Sequence, residues 1–138
     1  MEPQSRHSLE PHTADLRIRV EARSVADLFA EAGRALAAVV AHGRVPPAEG
    51  EHERVELEAP DRDALLVDWL NELIFRSETG GKVYGDVRVE TLSDHKLTAL
   101  IRGAAAPGRA NPVKAATFHG LAITETPAGA TATIVLDV

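Results

Sequence analysis

The chain has 138 residues, an apolar share of 44%, no cysteine and a formal net charge of −6. Length and apolar content predict a single domain over 1–138 with a loose tail at 1–6, and the absence of cysteine excludes disulfides and thiolate metal sites and fits a reducing, cytoplasmic setting. The acidic balance argues against gripping nucleic acid through phosphate contacts of its own, so any RNA would be held by a partner. No apolar run approaches the roughly 20 residues of a membrane span, and MEPQSRHSLEPH lacks the apolar centre of a secretory signal.

A short strand is predicted over His7–Glu10. Pro11-His12-Thr13-Ala14-Asp15 then leads into a clearer strand that runs to Ala22, in which Leu16, Ile18 and Val20 alternate with Arg17, Arg19 and Glu21. This period of two marks a half-buried strand. Asp15 has the parity of the polar set, which puts it on the face away from the core. Next, Ser24 precedes Val25, Leu28, Phe29, Ala32, Leu36, Val39 and Val40, spaced three and four apart. The pattern predicts an amphipathic helix over 25–41, capped by Ser24 and stopped near Gly43.

Arg44–Gly50 (RVPPAEG) reads as a loop, because Pro46-Pro47 fits neither a helix interior nor a ladder. Val55, Leu57 and Ala59 alternate with charged residues in another strand. Asp61 then caps a helix over 62–77 with Leu66, Trp69, Leu70 and Leu73 as its buried stripe. After Gly80-Gly81, Val83–Thr91 and Leu97–Arg102 form strands joined at Ser93-Asp94-His95. Ala104–Pro112 reads as a loop. Val113, Ala115, Thr117, His119, Leu121 and Ile123 share the core parity of one long strand. Thr126–Gly129 turns the chain into a last strand, with Ile134, Leu136 and Val138 on the core side. Two early helices and strands clustered late predict an α+β fold: a two-layer sandwich whose mostly antiparallel or mixed sheet carries both helices on one face. The other face is left open for chemistry.

Asp137 has the parity opposite to Ile134 and Leu136, so it and Asp15 are both predicted on that open face, at strand ends. Two converging carboxylates suit a hard divalent cation, which takes oxygen ligands. Val138, the final residue, would add an α-carboxylate oxygen. The plainer readings are a solvated turn aspartate at Asp15 and a solubilising acid at Asp137. Lys114 has the parity opposite to the run starting at Val113. It would steady the two acids, meet a phosphate as a point charge, or extend along the strand into solvent. His12 is placed to orient Asp15.

Asp68 and Glu72 share the outer face of the second helix and read as solvated charges rather than an acid–base pair. His7, His12, His42, His52, His95 and His119 show no HxxxH or HExxH spacing, so zinc is weakly supported, and His119 has core parity. There is no GxxxxGK loop and no GxSxG. Tyr84 and Phe118 are too scattered to form a base-stacking platform.

His12-Thr13-Ala14-Asp15, Leu65-Leu66-Val67-Asp68-Trp69-Leu70-Asn71-Glu72-Leu73, Val113-Lys114-Ala115-Ala116-Thr117-Phe118-His119 and the closing Val135-Leu136-Asp137-Val138 together resemble the archease family, in that order and over His7–Val138. The resemblance implies a metal-binding protein factor that is not itself an enzyme. Its implied partner is the tRNA-splicing RNA 3′-phosphate ligase, which uses GTP and manganese and passes through a guanylylated histidine. The factor would promote that guanylylation and repeated turnover, in tRNA splicing or RNA repair. Carried over residue by residue, the metal ligands (for calcium or manganese) are Asp15, Asp137 and an oxygen of Val138, and the functional lysine is Lys114.

The resemblance is incomplete at Gly108-Arg109-Ala110-Asn111-Pro112, where relatives often place a His, a Lys and a Glu, and at the plain start His7-Ser8-Leu9-Glu10. Two other readings are a small metal-dependent phosphoester hydrolase, for which His12 is the one nearby base, and a chaperone-like binding module with no metal.

Overall fold

The computed structural model describes residues 15–105, 113–117 and 121–137, and Asp15 through its backbone alone. The predicted strand at His7–Glu10 and the residues His12, Phe118, His119 and Val138 lie outside them. In chain order the elements are β1 (Asp15–Ala22), α1 (Val25–Val40), β2 (Glu53–Glu58), α2 (Arg62–Gly80), β3 (Lys82–Leu92), β4 (Lys96–Ala105), β5 (Ala115–Thr117), β6 (Ile123–Thr126) and β7 (Gly129–Asp137).

Local chemistry sets the boundaries. The Ser24 hydroxyl accepts the Asp27 N–H at 3.1 Å, and Asp61 Oδ1 accepts the Ala64 N–H at 2.8 Å, so each helix starts on a side-chain cap. The second helix outlasts the predicted 62–77 by a turn, to Gly80. It stops at Gly81, whose φ of 64° is the left-handed conformation glycine adopts freely. Between β3 and β4, Ser93 takes the turn: its N–H reaches the Lys96 carbonyl and its hydroxyl accepts the Lys96 N–H. The strand β4 continues through Ala105, three residues beyond its predicted end.

The α+β fold stands, with every strand pairing antiparallel. The strands divide into two sheets. One has the order β2-β4-β3. In the other, β7 is paired along one side by β1 and along the other by β5 and then β6. Helix α1 packs on β1 and β7 of one sheet and β3 of the other, and α2 reaches β5 as well as β2, β3 and β4. The two helices therefore cover the inner faces of both sheets with one apolar core.

Trp69, Phe29, Leu28, Leu65, Leu66 and Leu97 are fully buried in that core, and the Trp69 indole N–H donates to the Phe29 carbonyl at 2.9 Å. Gly33 lets the helices close. A Cβ there would sit 3.2 Å from the Trp69 ring and 3.3 Å from Leu73.

The predicted long strand over 113–123 does not hold one register. Thr117 faces Val135 and Ile123 faces Ala132, six steps on one strand against three on its partner. The excess of three residues splits the strand into β5 and β6, and because it is odd it flips the parity. Ala116, opposite Leu136, is the buried residue of β5. Ala115 and Thr117, assigned to the core by alternation, lie on the outer face, and the alternation that assigned Lys114 to that face fails with them; Lys114 is exposed just ahead of the strand.

Candidate functional site

The strand register brings the acid candidates into one row. Asp15 lies directly opposite Asp137, and Asp137 directly opposite Ala115. Residues opposed in an antiparallel ladder share a face, with Cα atoms about 4.5–5.5 Å apart. The row stands where β1 begins and β7 ends. The next row inward holds Arg17, Val135 and Thr117. There Val135 is buried, whereas Asp137 is exposed, so the acid row forms the open rim of that face.

Lys114 is exposed and sits one residue before β5. Its N–H donates to the Asp137 main-chain carbonyl at 2.7 Å. The structure thus brings the backbones of Asp15, Asp137 and Lys114 to a single edge. Among the described residues there is no group of three or more His, Asp or Glu that could hold a metal ion. Two acid positions with oxygen donors and no sulfur fit a hard cation such as calcium or manganese, which completes its shell with further oxygens.

Helix α2 reaches the same sheet through side chains that the sequence did not single out for chemistry. The Asn71 amide oxygen accepts the Ala116 N–H at 2.8 Å, and its amide nitrogen donates to the Ala116 carbonyl at 3.3 Å. Eight residues earlier, Asp63 Oδ1 accepts the Ile123 N–H at 3.2 Å. The two side chains hold the start of β6 and the middle of β5. The signal available in the sequence was Asn71 itself, since asparagine is a poor residue for a helix interior unless its amide has a partner. Of the two α2 acids read as solvated, Asp68 is exposed, whereas Glu72 is partly buried and pairs with Arg76 one turn on at 2.7 Å.

A second polar cluster ties α2 to the three-stranded sheet. Glu53 accepts from the Tyr84 hydroxyl at 2.8 Å and pairs with Lys82 and Arg76, each at 3.3 Å. Burial acts to raise the Glu53 pKa, but the Tyr84 hydroxyl, Lys82 and Arg76 outweigh it and hold the carboxyl below its ordinary value. A lowered carboxyl pKa stabilises the fold fully above the unfolded glutamate value of about 4.3, and that contribution is lost as pH falls through the native value. Denaturant melts between pH 7 and pH 3 are expected to show a shallower acid loss for Glu53→Gln than for the wild-type chain. Equal slopes would contradict the assignment. The Tyr84 hydroxyl is raised, by burial first and then by Glu53.

No helix of the described residues is long and apolar enough to cross a membrane. The Archease protein family (MTH1598/TM1083) matches the chain over residues 7–138. The chain is similar to the protein archease of Methanosarcina mazei, at 30% identity over 135 residues and 92% of each chain. Among solved structures, protein 1598 of Methanobacterium thermoautotrophicum superposes with a TM-score of 0.68 at 29% identity, covering 91% of this chain and 94% of that one. An archease of Thermotoga maritima, described as a possible chaperone, superposes with a TM-score of 0.62 at 18% identity, covering 96% and 99%.

Proposed function

The chain belongs to the archease family, and from that premise we propose that it is a metal-binding protein cofactor, not itself an enzyme, of a GTP- and manganese-dependent RNA 3′-phosphate ligase. Its task in the cytoplasm is to promote guanylylation of that ligase and its repeated turnover, in tRNA splicing or RNA repair. The observation that carries this reading is the register of Asp15 opposite Asp137, with Lys114 bonded to Asp137.

Asp15, Asp137 and an oxygen of Val138 would hold calcium or manganese. Such an ion supplies positive charge and fixed geometry for phosphate oxygens. The chain's own residues do the rest. Lys114, tied through its main chain to Asp137, would offer an ammonium at that strand end, a point charge suited to a nucleotide phosphate. His12 would orient Asp15 from the preceding segment. The net charge of −6 favours docking on a basic, RNA-binding enzyme, which keeps the RNA on the partner.

The test is sealing of a 3′-phosphate RNA by limiting ligase. Wild-type chain is expected to raise product well beyond one turnover per ligase, and Lys114→Ala to lower that stimulation by about tenfold or more, the scale of a lost charge on a transferring phosphate. Full stimulation by Lys114→Ala would remove lysine from the account. Turnover of a generic phosphoester by the purified chain with metal would favour a hydrolase instead.

A further inference from the structure

We infer that Asn71 is a positioning residue: its side-chain amide takes the place of a neighbouring strand, holding β5 against β7 and so fixing where Lys114 leaves the sheet at the Asp137 end. The inference rests on the proposed role of Lys114.

The strand β5 has three residues and lies on the side of β7 away from β1. Ala116 points its side chain into the core and turns both its N–H and its carbonyl to Asn71. A primary amide is the one side chain that offers a donor and an acceptor at peptide-like spacing, so it satisfies both groups of a single residue, as a further strand would. The opposed bonds also fix which amide atom is oxygen.

The clamp is seated on a rigid base. Asn71 follows Leu70 and Trp69, both buried, so the helix cannot slide without disturbing the core. Lys114 is two residues from the clamped Ala116, and its own N–H is bonded to Asp137. The direction in which Lys114 leaves the sheet is therefore set from two sides, by β7 and by α2. The acid row depends on Asn71 far less, because β1 and β7 pair directly from Asp15↔Asp137 to Ala22↔Ala130. Asn71 belongs functionally with Lys114 rather than with the metal ligands.

Asn71→Leu keeps the shape and removes both bonds. Hydrogen exchange at the Ala116 amide is expected to quicken by about tenfold or more, while exchange in β1 is unchanged. Stimulation of the ligase should fall as far as in Lys114→Ala, with the cation-dependent rise in melting temperature retained. The double variant Asn71→Leu/Lys114→Ala should be no worse than Lys114→Ala, since two residues acting through one group are not additive. Additive losses would make Asn71 a merely structural residue and overturn the inference, as would unchanged protection of Ala116.

Asn71→Asp keeps the acceptor for the Ala116 N–H and loses the donor, and it serves the same comparison if the leucine variant fails to fold. Stimulation that survives Asn71→Leu overturns this inference alone. A wild-type chain that stimulates no ligase overturns the proposed function and the role of Asn71 in it together.

Discussion

Asp137→Asn is expected to change the sign of its effect on stability when a divalent cation is added. Without metal, Asp15 and Asp137 are acids in directly opposed positions, an arrangement that disfavours the pairing when both are ionised. Asparagine removes one charge and keeps the main-chain carbonyl that accepts the Lys114 N–H. The variant should therefore melt at or slightly above the wild-type temperature in chelator. With a cation at about a hundred times its dissociation constant, the wild-type chain gains about 2.7 kcal/mol and a variant that has lost the site gains little. The melting order then inverts. Asp15→Asn should behave alike, whereas Lys114→Ala should keep the metal response. Parallel curves for wild type and Asp137→Asn, with and without calcium or manganese, would contradict the acid row as a metal site.

The second large effect is on the core. Trp69→Ala is expected to lower unfolding stability by about 3–5 kcal/mol, the usual range for truncating a buried aromatic. The ring is fully buried, lies against Gly33 of α1 and donates its N–H to Phe29. Domains of this size have about 5–15 kcal/mol in all, so the variant sits near the edge of folding at 37 °C. Trp69→Phe keeps most of the volume and should lose far less. Denaturant titration reads both by circular dichroism, and in the wild-type chain emission of the sole tryptophan reports the same transition. A loss below about 1 kcal/mol for Trp69→Ala, the size of a surface change, would mean that the helices do not meet at this ring.

Much of this was legible in the sequence because local rules and tertiary packing agree there. Ser24 and Asp61 cap the helices they were expected to cap, and along β1 the alternating Leu16, Ile18 and Val20 grade from exposed at the Asp15 end to buried at Val20. The stripe Leu66, Trp69, Leu70 and Leu73 is buried as its spacing predicts.

Other features were set by pairing, which no single segment encodes. The division into two sheets depends on which strands meet. The three-residue excess between β5 and β6 is visible only against β7, and its odd number reversed the expected parity of Ala115 and Thr117. The role of Asn71 was not legible, because its partner is a backbone 45 residues away.

The most direct test of the acid edge as an activating device is transfer of labelled GMP from GTP to the proposed partner, an RNA 3′-phosphate ligase. Ligase alone, ligase with the wild-type chain and ligase with Asp137→Asn would be compared at equal manganese. The account predicts faster guanylylation with the wild-type chain and a rate near that of ligase alone with the variant, even though the variant is folded. Equal acceleration by both proteins would contradict it.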